Sequence, residues 1–350
     1  MSRIAAVCST LPPHRHRQED LAEAHAALCA MAATRRGLLD RLYANAGVRT
    51  RYTALPLEDY KRLDGLGPAN DLYIEHATAL GAEAVRDALQ QAEVRPEDVD
   101  LFVATSVTGV AVPSLDARLV PLLGLRSDVK RVPMFGLGCV AGAAGLARIH
   151  DYLRAYPDHT AVLLAVELCS LSVPVEDPSP ADLVGSALFG DGAGAVVVRG
   201  AECRGGALRI VATHSELCPG TQDALGWHLG TNGFRIVLSA ELADVLEREL
   251  GAVVQRFLAG RGLQTSDIGT WVVHPGGPKV IDAVRDVLGL AEDRVATARA
   301  SLAEVGNLSS ASVLHVLGKA LAGPAGPPGP WVMVGLGPGV SIELLLLERP

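Results

Sequence analysis

A thiol, an imidazole and a carboxamide stand at places in this chain where chemistry is possible. Cys139 follows Gly138 and opens a small-residue run, Val140–Leu153, that reads as a helix. A cysteine at a helix N-terminus meets unpaired N–H groups and the positive end of the helix dipole, which favours the thiolate. At its reference pKa of about 8.5, only about 3% of a thiol is ionised at pH 7; lowering that pKa by about two makes it mostly thiolate and is worth about 2.7 kcal/mol. His274 ends the apolar run Thr270–Val273, and a protonated imidazole close to the sulfur would deepen the ionisation. Asn307 is neither acid nor base, but its amide can donate to a developing oxyanion. A thiolate nucleophile with two such donors suits acyl transfer through a thioester.

Each residue also has a purely structural reading. A cysteine among Gly and Ala can be a small buried hydrophobe, His274 before Pro275 can end a strand, and Asn307 can cap a helix. The elements around them decide between the readings. Asn70–Gln91 has helical spacing and leads through Pro96–Asp100 into the buried run Leu101–Thr105. Leu242–Ala259 leads in the same way through Thr265–Gly269 into Thr270–His274. Asp98 precedes Cys139 by 41 positions and Asp267 precedes Asn307 by 40. Cys139 to Glu167 is 28 positions, and so is Asn307 to Gly335. The helices Val140–Leu153 and Leu308–Ala320 are each followed by a buried strand, Ala161–Val166 and Trp331–Val334. This is a duplicated α/β unit with strands covered on both faces, divided into halves 1–205 and 206–350. Packed about a pseudo-twofold axis, the halves bring Cys139 and Asn307 together although 168 positions separate them, with His274 at a strand's carboxyl end.

Composition limits the alternatives. The chain has 350 residues, 49% of them apolar and 20% charged, which excludes a disordered chain. Its 31 basic and 39 acidic residues give a net charge of −8, so no nucleic-acid partner is expected. Six cysteines (Cys8, Cys29, Cys139, Cys169, Cys203, Cys218) form no CxxC pair and read as reduced thiols of a cytoplasmic protein. The N-terminus reads as a first strand rather than a signal peptide, and the apolar stretch Ala161–Val166 ends at Glu167, so no membrane span is expected. Gly136-Leu-Gly138-Cys-Val-Ala141 has dinucleotide-fingerprint spacing, but Glu167 is 31 positions from Gly136, longer than the usual offset. A nicotinamide enzyme is therefore a minor alternative.

Val132-Pro-Met-Phe-Gly-Leu-Gly-Cys139-Val-Ala-Gly resembles the nucleophile segment of type III polyketide synthases, the chalcone-synthase-like enzymes. His274-Pro-Gly-Gly-Pro-Lys279 and Gly306-Asn307-Leu-Ser-Ser-Ala-Ser resemble that family's other two catalytic segments, in the same order. Ala187-Leu-Phe189-Gly-Asp-Gly-Ala and Gly335-Leu-Gly337-Pro338-Gly339 match two more signatures, the last being a loop of the cyclisation cavity. The resemblance, from about residue 70 onward, implies a thiolase-like duplicated αβαβα five-layer fold and a homodimer. It implies acyl-CoA and malonyl-CoA as substrates, with no metal and no further cofactor. Cys139 would carry the growing acyl chain, while His274 and Asn307 promote decarboxylation of malonyl-CoA and hold the enolate oxygen.

The same resemblance assigns Phe189 as a gate between the CoA tunnel and the cavity, with Val107, Gly185, Trp227 and Ile236 along the cavity. Ile236 replaces the family's second gating aromatic, two residues from Phe234. Arg41, Lys279 and Ser309 align with CoA contacts; two further basic positions are Leu38 and Asn45 here, with Arg49 and Arg51 as substitutes nearby. Enzymes making tetrahydroxynaphthalene from malonyl-CoA alone typically carry a second cysteine where this chain has Val107. Val107, Ile236 and the segment Gly226–Phe234 therefore point to a fatty acyl starter and an alkylpyrone or alkylresorcinol product, with 1,3,6,8-tetrahydroxynaphthalene as the alternative. Ketoacyl synthase III enzymes are a more distant match, since their histidine segment usually carries Gln-Ala-Asn. A non-catalytic ketosynthase-like partner is the alternative of another class, and it would be expected to lose the nucleophile.

Overall fold

The computed structural model describes residues 1–349 except 173–176, 231–232, 240 and 325, and the side chains of 33 and 34 are likewise outside the description. The strands are β1 (Arg3–Thr10), β2 (His14–Arg17), β3 (Thr50–Thr53), β4 (Leu101–Thr105), β5 (Lys130–Met134), β6 (Thr160–Leu168) and β7 (Asp191–Arg199). They continue as β8 (Leu208–Leu217), β9 (Leu225–Gly230), β10 (Gly233–Leu238), β11 (Thr270–Val273), β12 (Trp331–Gly337) and β13 (Ser341–Glu348). The helices are α1 (Gln18–Leu28), α2 (Ala33–Asn45), α3 (Leu66–Ala92), α4 (Leu115–Leu123) and α5 (Ala141–Ala155). They continue as α6 (Pro180–Leu188), α7 (Leu242–Ala259), α8 (Pro278–Val287), α9 (Ala296–Val305) and α10 (Ser312–Ala322).

The large sheet runs β11-β12-β13-β8-β1-β7-β6-β4-β5. It is two half-sheets meeting at a narrow seam, Arg3 opposite Arg209 and Ile4 opposite Leu208. In the first half β5, β4 and β6 are parallel and β7 and β1 turn antiparallel; in the second β11 and β12 are parallel and β13 and β8 antiparallel. The repeat read from spacing is thus present in four strand pairs, β4 matching β11, β6 matching β12, β7 matching β13 and β1 matching β8. β5 has no counterpart among the described residues: the second half passes from α8 through a short turn into α9.

Side-chain alternation separates the layers. Val162, Leu164 and Val166 of β6 pack with α3 and α4, while Ala161, Leu163 and Ala165 face the other way. On β13, Ile342, Leu344 and Leu346 pack with α7 and α8, while Leu345 and Leu347 face inward. The inward residues of both half-sheets share one core with α5 and α10. Helices, half-sheet, central helix pair, half-sheet, helices: this is the five-layer αβαβα arrangement, and its strands are apolar on both faces because both are covered. The central helices approach closely enough that a Cβ on Gly142 of α5 would lie 2.2 Å from the Ser310 carbonyl oxygen. Only small residues fit there, which explains the Ala/Gly content of α5. Among the described residues no helix is long and apolar enough to cross a membrane.

Candidate active site

The chain leaves β5, turns through Gly136 and Gly138, both at positive φ, and makes a 3-10 turn at Gly138–Val140 before α5 begins. Cys139 sits in that turn, one step earlier than a simple helix start. In the second half a matching 3-10 turn, Ser309–Ala311, precedes α10. The two turns meet: the Cys139 thiol donates to Ser309 Oγ at 3.6 Å. Asn307 Oδ1 accepts the Ser309 N–H at 2.9 Å and the Ser312 hydroxyl at 3.0 Å, which orients the amide so that Nδ2 points outward. Nδ2 donates to the Gly276 carbonyl at 3.2 Å, beside the His274 ring. His274 is anchored through its N–H to the Val334 carbonyl at 2.9 Å. Its Nδ1 is buried without a partner. The three residues singled out in the sequence are all buried, Cys139 linked to Asn307 through Ser309, and Asn307 to the His274 segment through Gly276.

The electrostatics differ from the expectation of an acidic thiol beside an imidazolium. Burial pushes the Cys139 thiol up to about 12, with Glu167 adding to the rise and the hydrogen bonds to Ser309 and Asn307 opposing it. Burial likewise pushes His274 down to about 4. Loss of water outweighs the dipole here, because the sulfur lies under the packed turn rather than at an open helix end. At pH 7 both groups are neutral.

Glu167 is a member of this site that sequence reasoning left without a role. It is fully buried and accepts from Ser106 Oγ at 3.1 Å, Val107 N–H at 3.0 Å, Thr108 Oγ1 at 3.0 Å and Ser310 Oγ at 2.5 Å. Burial raises its pKa. The signal was a carboxylate closing an otherwise apolar strand. Val107 is buried and its backbone is fixed by this carboxylate.

Of the expected cavity residues, Gly185, Trp227 and Ile236 gather around Phe189, and Val107 is not among the residues that line this chamber. A small chamber of about 30 Å³ is bounded by Cys169, Gly185, Phe189, Trp227, Phe234 and Ile236, among others. A Cβ on Gly185 would lie 3.3 Å from Ile236 Cδ1. Trp227 and Phe234 meet edge to face at 5.9 Å, so an aromatic wall stands beside the apolar Ile236. Gly335, Gly337, Pro338 and Gly339 lie behind the nucleophile: a Cβ on Gly138 would meet Pro338 Cγ at 2.6 Å, and one on Gly337 would meet the Val140 nitrogen at 2.7 Å. That contact closes the space a pyrophosphate would need, so the dinucleotide-like spacing at Gly136–Ala141 is a packing turn.

At the expected CoA mouth, Arg41 and Lys279 are both exposed, on α2 and at the start of α8. Two assignments change. Ser309 is buried at 2% exposure beside Cys139, which limits any contact to the thioester end of CoA. Arg51 is buried at 5%, donating to Gln18 Oε1 and to the carbonyls of Ser186 and Phe189, so it braces the backbone at Phe189 and is no substitute CoA contact. Arg49 remains exposed. Among the described residues no group of three or more His, Cys, Asp or Glu is placed to hold a metal ion.

Residues 1–203 match the family model for the N-terminal domain of chalcone and stilbene synthases, and residues 209–349 match that for the C-terminal domain. A 1,3,6,8-tetrahydroxynaphthalene synthase of Streptomyces peucetius subsp. caesius is 52% identical over 349 residues, covering 99% of this chain and 92% of that protein. An alpha-pyrone synthesis polyketide synthase-like protein of Mycobacterium tuberculosis is 31% identical, over 89% of this chain and 82% of its own length. The crystal structure of 1,3,6,8-tetrahydroxynaphthalene synthase from Streptomyces coelicolor superposes with a TM-score of 0.93 at 31% identity, covering 99% of each chain.

Proposed function

The chain belongs to the chalcone and stilbene synthase family, the type III polyketide synthases, and on that premise we propose that it builds a hydroxylated naphthalene from malonyl-CoA alone. The observation that carries this reading is the 52% identity, over 99% of the chain, to a protein named for 1,3,6,8-tetrahydroxynaphthalene synthesis, against 31% to the alpha-pyrone relative. It displaces the fatty acyl starter favoured from Val107 and Ile236. A valine in the wall and an isoleucine at the gate make surfaces apolar without creating a channel.

In the proposed mechanism Cys139 attacks the thioester carbonyl of the starter, His274 takes the thiol proton, and CoA leaves as its thiol. Malonyl-CoA then binds with its thioester oxygen toward Asn307 Nδ2 and the His274 ring. Loss of CO₂ leaves an enolate whose oxygen these donors stabilise, and its carbon attacks the Cys139 thioester. The extended chain returns to Cys139 for the next round. Arg41 and Lys279 are proposed to meet the CoA phosphates.

A homodimer is proposed across β5. This edge strand is exposed from Lys130 to Pro133, and Val132 (42%) on it and Phe135 (61%) just after it present apolar side chains to solvent. An exposed apolar edge of this kind marks an association surface.

The test is product analysis with malonyl-CoA alone and with a panel of acyl-CoA starters, together with intact mass of the enzyme. The reading expects a hydroxynaphthalene from malonyl-CoA alone and an acyl adduct on Cys139. A requirement for a long-chain starter would overturn it in favour of an alkylpyrone or alkylresorcinol.

A further inference from the structure

On the other side of Phe189 lies a larger cavity, about 260 Å³, between α1, β3 and the 57–62 turn. Phe189 and Ser186 belong to its wall and to that of the acyl chamber, so the gate ring is a partition between two spaces. His25 lines the larger cavity, is 6% exposed, and its Nδ1 lies 3.0 Å from Tyr43 Oη, while its Nε2 is buried without a partner. We infer that this cavity is a binding site for a neutral hydroxylated aromatic of one or two rings, the chemical class of the proposed product, with a ligand hydroxyl bonded to His25 Nε2.

Size, lining and charge each narrow the ligand. An apolar cavity of about 150 Å³ holds benzene, so about 260 Å³ accommodates one ring or two fused ones. Tyr43, Tyr52, Tyr60 and Phe189 supply aromatic faces to a flat ligand. Whichever nitrogen of a neutral imidazole bears the proton, a hydroxyl can answer the other as donor or acceptor. Burial and Arg51 push His25 down to about 4, so it stays neutral. Arg51 already commits its Nε and Nη1 to Gln18, Ser186 and Phe189, and the rim residues Glu58 and Lys61 have opposite charges, so nothing here selects an anion.

The ligand class rests on the proposed product; the cavity does not. The experiment is calorimetric titration of the full-length enzyme, with no CoA thioester present, with 1,3-dihydroxynaphthalene and with unsubstituted naphthalene. Ala24→Trp fills the cavity from α1 and is expected to abolish binding of both while Cys139 still acylates. His25→Phe keeps ring volume and removes Nε2; it is expected to weaken the diol roughly tenfold and naphthalene hardly at all. Undiminished binding in Ala24→Trp, or equal effects of His25→Phe on both probes, overturns the site. If the probes bind here but the enzyme releases no hydroxynaphthalene, the site stands and the proposed product fails.

Discussion

Gly337→Ala is a small perturbation aimed at the nucleophile from behind. Gly337 has ordinary strand φ, so alanine is tolerated by the backbone itself. Its Cβ would arrive 2.7 Å from the Val140 nitrogen and 3.0 Å from the Leu137 carbonyl oxygen, where ordinary contact begins at 3.4 Å. Those atoms flank Cys139, so relief requires the turn to move by about 0.7 Å, from the tighter of the two contacts. Overpacking of this kind costs about 1–3 kcal/mol, a fall of several degrees at most in the thermal midpoint of a chain this long. A misplacement of about 1 Å costs about 100-fold in rate, so tens-fold is the expected loss in kcat. KM for malonyl-CoA should change little, because Arg41 and Lys279 lie on other elements. The assay pairs steady-state turnover with the rate of Cys139 carbamidomethylation, and Gly67→Ala, which meets nothing within 4 Å, is the control. A Gly337→Ala enzyme with wild-type kcat and alkylation rate would refute the argument that this glycine sets the position of the sulfur.

Cys139→Ala should abolish chain extension yet leave malonyl-CoA decarboxylation detectable as released CO₂, since His274 and Asn307 remain; loss of both activities would contradict that division of roles. Asn307→Ala should lose decarboxylation more than Cys139 acylation, measured by CO₂ release against intact mass, and the reverse order would reassign the residue. In the substrate-free enzyme, carbamidomethylation of Cys139 should rise about tenfold per pH step of one from 7 to 10 without a plateau, because its thiol is held up near 12; a plateau below pH 8 would show that the sulfur is ionised at rest. His25, His274 and His315 are all pushed down to about 4, so between about pH 6.5 and 4 the unfolded chain binds protons that the folded one refuses. Each histidine should therefore lower stability by up to about 1.4 kcal/mol per pH step as pH drops through that window, opposed by the buried carboxyls of Asp191, Glu167 and Glu343, whose pKa values burial raises; the check is an NMR titration of the imidazoles, and any of the three titrating near 6.5 would contradict its burial.

The duplicated architecture was readable because strands covered on both faces are written as unbroken apolar runs: Leu101–Thr105 is a strand with the bounds read from sequence, and the run read as Thr270–His274 is a strand as far as Val273. The meeting of Cys139 and Asn307 followed from their equal places in the repeat. Less readable were features set by three-dimensional crowding. The 3-10 turns ahead of α5 and α10 arise where two turns press together, so the helices start later than composition suggests. Arg51 looked like a free cation beside Arg49, but alternation along β3 turns it inward. The neutral state of Cys139 and His274 depends on how completely the pocket excludes water, which no motif encodes. Glu167 was visible only as a carboxylate ending an apolar strand; its donors Ser106, Thr108 and Ser310 come from distant segments.

The missing counterpart of β5 gives the molecule a valence. At one end of the large sheet β5 offers an unpaired, exposed edge. At the other, β11 is only four residues long, largely buried, and flanked by the 292–295 turn and α9. A subunit with two such open edges could add copies without end, as a filament does. With one, isologous pairing of β5 with itself would use the open edge of the large sheet and terminate its growth at two. Duplication that stopped short of symmetry is thus what would keep a strand-paired assembly finite.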